Sequence, residues 1–290
     1  MDIKAQLQHM FQDEAGLIGL SIVENPYVYR PLIDGLDLLL LVVSSADDNN
    51  RHIEHRQIDS KHVLIRRISP STLEQWIATG ENRSIIEWLV RGEILMDQNN
   101  YLLHIRQRLL AFPNDMRERK QIVEFGCFMR KYYQAKQDLQ DGNLLDSYSN
   151  VLAALHHWAH IVLIEAGIHP ELTVWKQTRR FNPGIYKLYE ELTVSSETME
   201  QRIQLVLLAC EFSVMSLMKS CCKLLFDVLG SREEPWGIIE LHQHEDLKEL
   251  QIDLSLLIQK LVKRGYIREV VAIPATGDTE ALELKYRCEA

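Results

Sequence analysis

The feature that most constrains this chain is a change of hydrophobic period. From Asp115 to Gly230 apolar side chains recur at helical spacing in three long stretches, near 115 to 140, 144 to 166 and 197 to 229. A shorter stretch follows Pro183, and strand-like runs are missing. Gly142, Gly167 and Gly230 punctuate the pattern as glycines do at helix C-termini. Long amphipathic stripes with few breakers specify a helical bundle, so any sheet must be built from what precedes or follows it.

Ahead of the bundle the pattern is mixed. Ile3, Leu7, Met10 and Phe11 space out a helix over residues 2 to 14, which Gly16 ends. Leu17 to Val23 and Leu36 to Val43 are continuous apolar runs, as expected of strands buried on both faces. Between them ENPYVYRPLIDG holds Pro26, Pro31 and Gly35 and reads as a loop. His52 to Gln57 and His62 to Ile68 form two further strands around the turn Asp59-Ser60. Pro70 and Ser71 open a helix through Ala78, and a second helix runs from Arg83 to Val90. Gly92 precedes the short edge strand EILMD, and Tyr101 to Leu110 is a helix. This is a small α/β sheet.

After SREEP, helices are expected near 236 to 243 and 245 to 250. A third spans Asp253 to Arg264, with Asp253 as N-cap and Gly265 just past the end. A strand, the turn ATGDTE and the closing strand ALELKYR complete a winged helix-turn-helix. The expected class is α+β in three units, residues 1–113, 114–231 and 232–290, since 290 residues exceed one comfortable core.

Composition narrows the function. Hydrophobic residues at 46% and charged residues at 25%, with no low-complexity tract, describe a globular chain. The N-terminal MDIKAQLQHMFQDEAG lacks the order of a secretion signal. The apolar runs Leu38 to Val43 and Ile203 to Met218 are too short or, at Glu211, broken, so a cytoplasmic protein with no membrane span is expected. Five scattered cysteines without Cys-x-x-Cys spacing fit a reducing compartment and exclude a zinc knuckle. A formal charge of −9 excludes broad nonspecific nucleic-acid binding and leaves room only for a local basic patch.

Nucleotidyl transfer needs divalent ions held by carboxylates, and two acids on alternate residues at a strand start project from one face. A helix, a strand, a loop and then LIDGLDLLLLV, residues 32 to 42, resemble the polymerase-β-like nucleotidyltransferase superfamily. Its members carry Gly-Ser, a short loop and Ser-Asp-x-Asp leading an apolar strand. The bundle that follows is similar to that of kanamycin-type nucleotidyltransferases, and the terminal helix-turn-helix is similar to that of bacterial nucleotidyltransferase-like proteins of the Bacillus type.

The resemblance implies a Mg²⁺-dependent transfer from a nucleoside triphosphate to an acceptor. Asp37 matches the second family aspartate, and Asp34 stands beside Gly35, which occupies the first position; both are the implied metal ligands and catalytic residues. Glu24-Asn25 replaces the Gly-Ser pair, which lets backbone approach the triphosphate, so Asn25 falls at the nucleotide. The neighbouring strand KHVLIRRIS has no third acid and presents Arg66 and Arg67 as phosphate contacts, with Glu93 and Asp97 as distant carboxylates. The departures at Gly35 and Glu24 keep open a second function. In it Asp37 is a strand-edge residue of a noncatalytic, nucleotide-sensing or regulatory protein whose C-terminal unit contacts DNA or a protein.

Four further features bear on function. HHWAH places His156 and His160 one helical turn apart, a spacing that can bind metal, but without an acid in the motif the default is packed side chains. Residues 175 to 192, WKQTRRFNPGIYKLYEEL, combine Lys176, Arg179 and Arg180 with Trp175, Phe181, Tyr186 and Tyr189 in the longest irregular part of the bundle. By the resemblance this segment recognises phosphate or acceptor; otherwise it is a loop pinned by its aromatics. Ile203 to Leu225 is bundle core or a homodimer interface. Gln259, Lys260, Lys263 and Arg264 are the side chains suited to reading bases, within acidic surroundings.

Overall fold

The structure is a computed structural model and describes residues 3–24, 26, 36–46, 53–79, 84–171, 173–273 and 282–289. Asn25, Asp34, Gly35 and the turn ATGDTE therefore lie outside the described residues. The chain divides into two compact units, Met1–Pro113 and Asn114–Ala290. The bundle and the C-terminal module, expected as separate units, share one hydrophobic core that runs from Ile122 to Ile267.

The first unit holds α1 (Ile3–Phe11), β1 (Leu17–Glu24), β2 (Leu38–Ser44), β3 (Ile53–Ile58) and β4 (Lys61–Ile68). It continues with α2 (Pro70–Thr79), α3 (Ile85–Arg91), β5 (Glu93–Asp97) and α4 (Tyr101–Ala111). The five strands form one mixed sheet in the order β3-β4-β2-β1-β5, with β2 parallel to β4 and the other pairs antiparallel. β2 is buried along its whole length, as its unbroken apolar run requires. Leu38, Leu40 and Val42 pack with Leu7 and Phe11 of α1. Gly19 of β1 is small because a Cβ there would lie 2.6 Å from Leu102 of α4. Asp59 and Ser60 both take positive φ, at 47° and 62°, so β3 and β4 are joined by a tight primed turn matched to strand twist.

In the second unit α5 (Asn114–Gln140) and α6 (Leu144–Glu165) turn back on each other at Gly142, whose φ is +78°. They pack with α7 (Val174–Phe181), α8 (Pro183–Val194) and α9 (Met199–Cys221). The part of residues 175 to 192 ahead of Asn182, expected to be irregular, is thus the helix α7, and the shorter helix expected after Pro183 is α8. Asn182 explains the corner: its Oδ1 accepts the Ile185 N–H at 3.2 Å, and Pro183 supplies the first residue of α8.

The helix expected to run from 197 to 229 is interrupted at the buried Cys222, and α10 (Lys223–Leu229) follows. Neither Gly nor Pro marks that break. Next come β6 (Trp236–Gly237), α11 (Ile238–Gln243), α12 (Leu254–Lys263), β7 (Ile267–Ala272) and β8 (Glu283–Cys288), with sheet order β6-β8-β7. A helix was expected over 245 to 250; that stretch is a series of turns in which Leu247 and Lys248 donate their N–H to the His244 carbonyl. Asp253 caps α12 by accepting the Leu256 N–H at 3.0 Å, and Gly265 ends it at φ +71°.

Candidate functional site

Asp37 stands immediately before β2, opposite His62 of β4. Its backbone N–H bonds to the His62 carbonyl at 2.9 Å, and its Oδ2 accepts the His62 N–H at 2.7 Å. The half-exposed carboxylate thus anchors the start of the parallel β2–β4 pair, with the His62 ring nitrogen 3.9 Å from the same oxygen. Oδ1 accepts no hydrogen bond from the described residues.

Arg66 and Arg67, expected as phosphate contacts, are not beside Asp37. They pair in register with Leu41 and Val42, in the middle of β2 and four and five residues beyond Asp37. Arg66 lies 4.4 Å above the Trp76 ring. Arg67 shares the α1 face with Phe11 and is held by Glu14 at 2.9 Å and Glu54 at 2.5 Å. Nor are the distant carboxylates available: Asp97 caps α4 by accepting the Leu102 and Leu103 N–H groups, and Glu93 is bound by Lys4 at 2.6 Å. Among the described residues no three His, Cys, Asp or Glu side chains are placed to hold a metal ion. Among the described residues Asp37 stands alone with one oxygen already committed, and by itself does not fit the paired-ion chemistry that the resemblance implies; Asp34 lies outside them.

The helical unit brings together what the sequence kept apart. Glu124 of α5 lies between His157 and His160 of α6, accepting at 2.7 Å and 2.8 Å from their Nδ1 atoms. Burial pushes the Glu124 carboxyl up, but the hydrogen bonds and charges of His157 and His160 outweigh it and hold the group well below the usual carboxylate range. One turn earlier on the same face, Lys120 is 8% exposed and makes no hydrogen bond or close ion pair with the described residues. Burial pushes its ammonium down to about 8, opposed by the charge of Glu124.

From this polar centre an aromatic wall continues across α6, α7 and α8. The His160 ring lies 4.5 Å from that of His156, which meets the edge of Trp175 at 6.0 Å. Trp175 stacks on Tyr189 at 4.1 Å, and Tyr186 follows at 6.2 Å. The exposed Arg179 lies 5.4 Å from the Tyr186 ring, the exposed Arg180 5.2 Å from Phe181, and Lys176 is exposed on the same helix. The basic-aromatic segment and the histidine motif are therefore parts of one surface. Sequence reasoning missed Glu124 and Lys120, two members of a long charged helix among many; the only available signal was their one-turn spacing.

The four base-reading candidates on and beside α12 are divided. Lys260 lies 3.7 Å over the Tyr133 ring of α5 and is spent within the unit, whereas Gln259, Lys263 and Arg264 are exposed.

Comparison with known proteins gives three family matches along the chain, one over the first unit and two within the second. Residues 1–117 match the family described as Nucleotidyltransferase-like, residues 118–217 the YgxA-like substrate binding domain, and residues 223–279 a helix-turn-helix domain. YgxA of Bacillus subtilis is 35% identical over 264 residues, covering 90% of each chain. The crystal structure of a nucleotidyltransferase-like protein from Exiguobacterium sibiricum superposes with a TM-score of 0.86 at 30% identity, covering 99% of this chain and 98% of that one. The chain thus belongs to the nucleotidyltransferase-like family of which Bacillus subtilis YgxA is a member.

Proposed function

We propose that this protein binds a small anionic molecule with a planar group, a nucleoside phosphate being the simplest of that class, on the wall formed by α5 to α8. Lys120 carries the proposal. A buried ammonium without a close partner costs stability, and an incoming anion offsets that cost. Trp175 and Tyr189 offer a stacking face for the planar part, and α7, which carries Trp175, also exposes Lys176, Arg179 and Arg180, with Arg179 beside Tyr186. The match of residues 118–217 to a substrate binding domain supports the same location. In this reading the protein acts as a ligand sensor, and its helix-turn-helix module passes the bound state to DNA or a protein. A thermal-shift screen of phosphate and of nucleoside mono-, di- and triphosphates tests it: a ligand stabilising the wild type but not Lys120→Met is expected. A screen in which both proteins respond equally sinks it.

A second function, transfer of a nucleotidyl group to a hydroxyl or phosphate of the bound molecule, is favoured by one observation. Asp37 occupies the position of the second family aspartate and keeps Oδ1 uncommitted among the described residues. Product formation from a radiolabelled triphosphate, abolished by Asp37→Asn, would establish transfer in place of sensing.

A further inference from the structure

The outward side of α9 has the spacing of a coiled-coil seam. Gln201, Leu205, Leu208, Phe212, Met215 and Lys219 are all exposed and follow one another at alternating steps of four and three residues. That is the a/d repeat by which two helices interlock. Its four central members are large apolar side chains left 47%, 55%, 73% and 36% exposed. Four such residues in a row on one helix form a contiguous apolar patch, which a monomeric surface rarely leaves uncovered.

The seam is also palindromic. Leu208 and Phe212 are equidistant from Cys210, as are Leu205 and Met215, and Gln201 and Lys219. We propose that this face binds the same face of α9 in a second copy of the chain, antiparallel, about a two-fold axis at Cys210. Leu205 of one copy then meets Met215 of the other, and Leu208 meets Phe212, twice each, as an isologous contact requires. The charges agree with this direction. Glu200 lies in the first turn of α9, just after Glu197, and Lys219 in its last turn, so antiparallel packing sets acid against base at both ends. A parallel pair would face Lys219 with Lys219. Glu211 flanks the axis, but its charge is already matched by Lys136 at 3.1 Å and its carboxylate accepts from Tyr132 at 3.2 Å.

Among the described residues α9 is also the one helix long and apolar enough to cross a bilayer. Its other side, however, carries Ile203, Val206, Cys210, Val214 and Met218 inside the bundle core, so only the seam is free to meet a partner.

Sedimentation velocity on the full chain tests the proposal, with circular dichroism as the control for folding. The wild type is expected to be a dimer at tens of micromolar. Phe212→Glu, which alters a mostly exposed side chain, is expected to raise the dissociation constant by about 100-fold or more with an unchanged spectrum. Pairing direction is read by cross-linking in a Cys127→Ser, Cys288→Ser background. Leu205→Cys mixed with Met215→Cys should form a disulfide, whereas either alone should not, because like positions lie about 15 Å apart along antiparallel helices. A monomer at every concentration, a dimer indifferent to Phe212→Glu, cross-linking of each variant with itself, or a monomer that co-sediments with phosphatidylglycerol vesicles would each overturn it.

Discussion

Lys120 sets how the helical unit responds to pH. Its pKa near 8 lies below that of a lysine in the unfolded chain, so between about pH 8 and 10.5 the unfolded chain binds the proton and the folded one does not. Stability should therefore rise with pH across that window in the wild type and stay flat in Lys120→Met. Below pH 8 the variant should be the more stable by on the order of 1–3 kcal/mol, read from urea unfolding at several pH values. Glu124 gives the same direction of pH dependence in a lower window, but its ionised form stabilises the fold where that of Lys120 destabilises it. The depressed pKa of Glu124 contributes stability above the ordinary carboxylate range and loses it as pH falls, so the wild type should weaken below about pH 5 more steeply than Glu124→Gln. At neutral pH Glu124→Gln should cost about 2–4 kcal/mol, because two half-buried histidines lose an ionised acceptor. Neither residue was legible in the sequence as a site. Hydrophobic period shows which face of α5 is covered; it does not show which side chain of α6 waits there.

At the level of elements, continuous apolar runs led to β1 and β2, because strands buried on both faces leave that signature, while β3 and β4 were placed around the Asp59-Ser60 turn and β5 after Gly92. Pattern failed where local chemistry outweighed periodicity. Residues 174–181 looked irregular because Pro183 and Gly184 dominate the local composition, yet Asn182 turns that punctuation into an N-cap and lets two helices meet. Asn182→Ala should cost about 1 kcal/mol of stability and blunt the Trp175–Tyr189 stack, visible as a change in near-ultraviolet circular dichroism. In the sheet, Gly19→Val should destabilise the first unit by roughly 1–3 kcal/mol through collision with the buried Leu102, which a shift of the guanidinium chloride midpoint would report. The break at Cys222 and the two-residue strand β6 had no local signal; both depend on long-range packing in the shared core.

For the whole molecule, the resemblance carried by Asp37 and the following apolar strand led to the right family, while the chemistry usually attached to it is not assembled by the described residues. Asp37 braces β2 against β4, Arg67 is held by two glutamates, and the polar concentration lies in the helical unit instead. Fold was legible because it depends on pattern; the site was not, because it depends on a few side chains far apart in sequence. The central claim is that ligand recognition belongs to the wall around Lys120 and not to a metal at Asp37. Calorimetric titration of nucleoside triphosphates, with and without Mg²⁺, into the wild type, Lys120→Met and Asp37→Asn tests it most directly. Binding that persists without Mg²⁺ and in Asp37→Asn but is lost in Lys120→Met is the predicted result. Binding that requires Mg²⁺ and Asp37 and ignores Lys120 would contradict the account and return the function to the α/β domain.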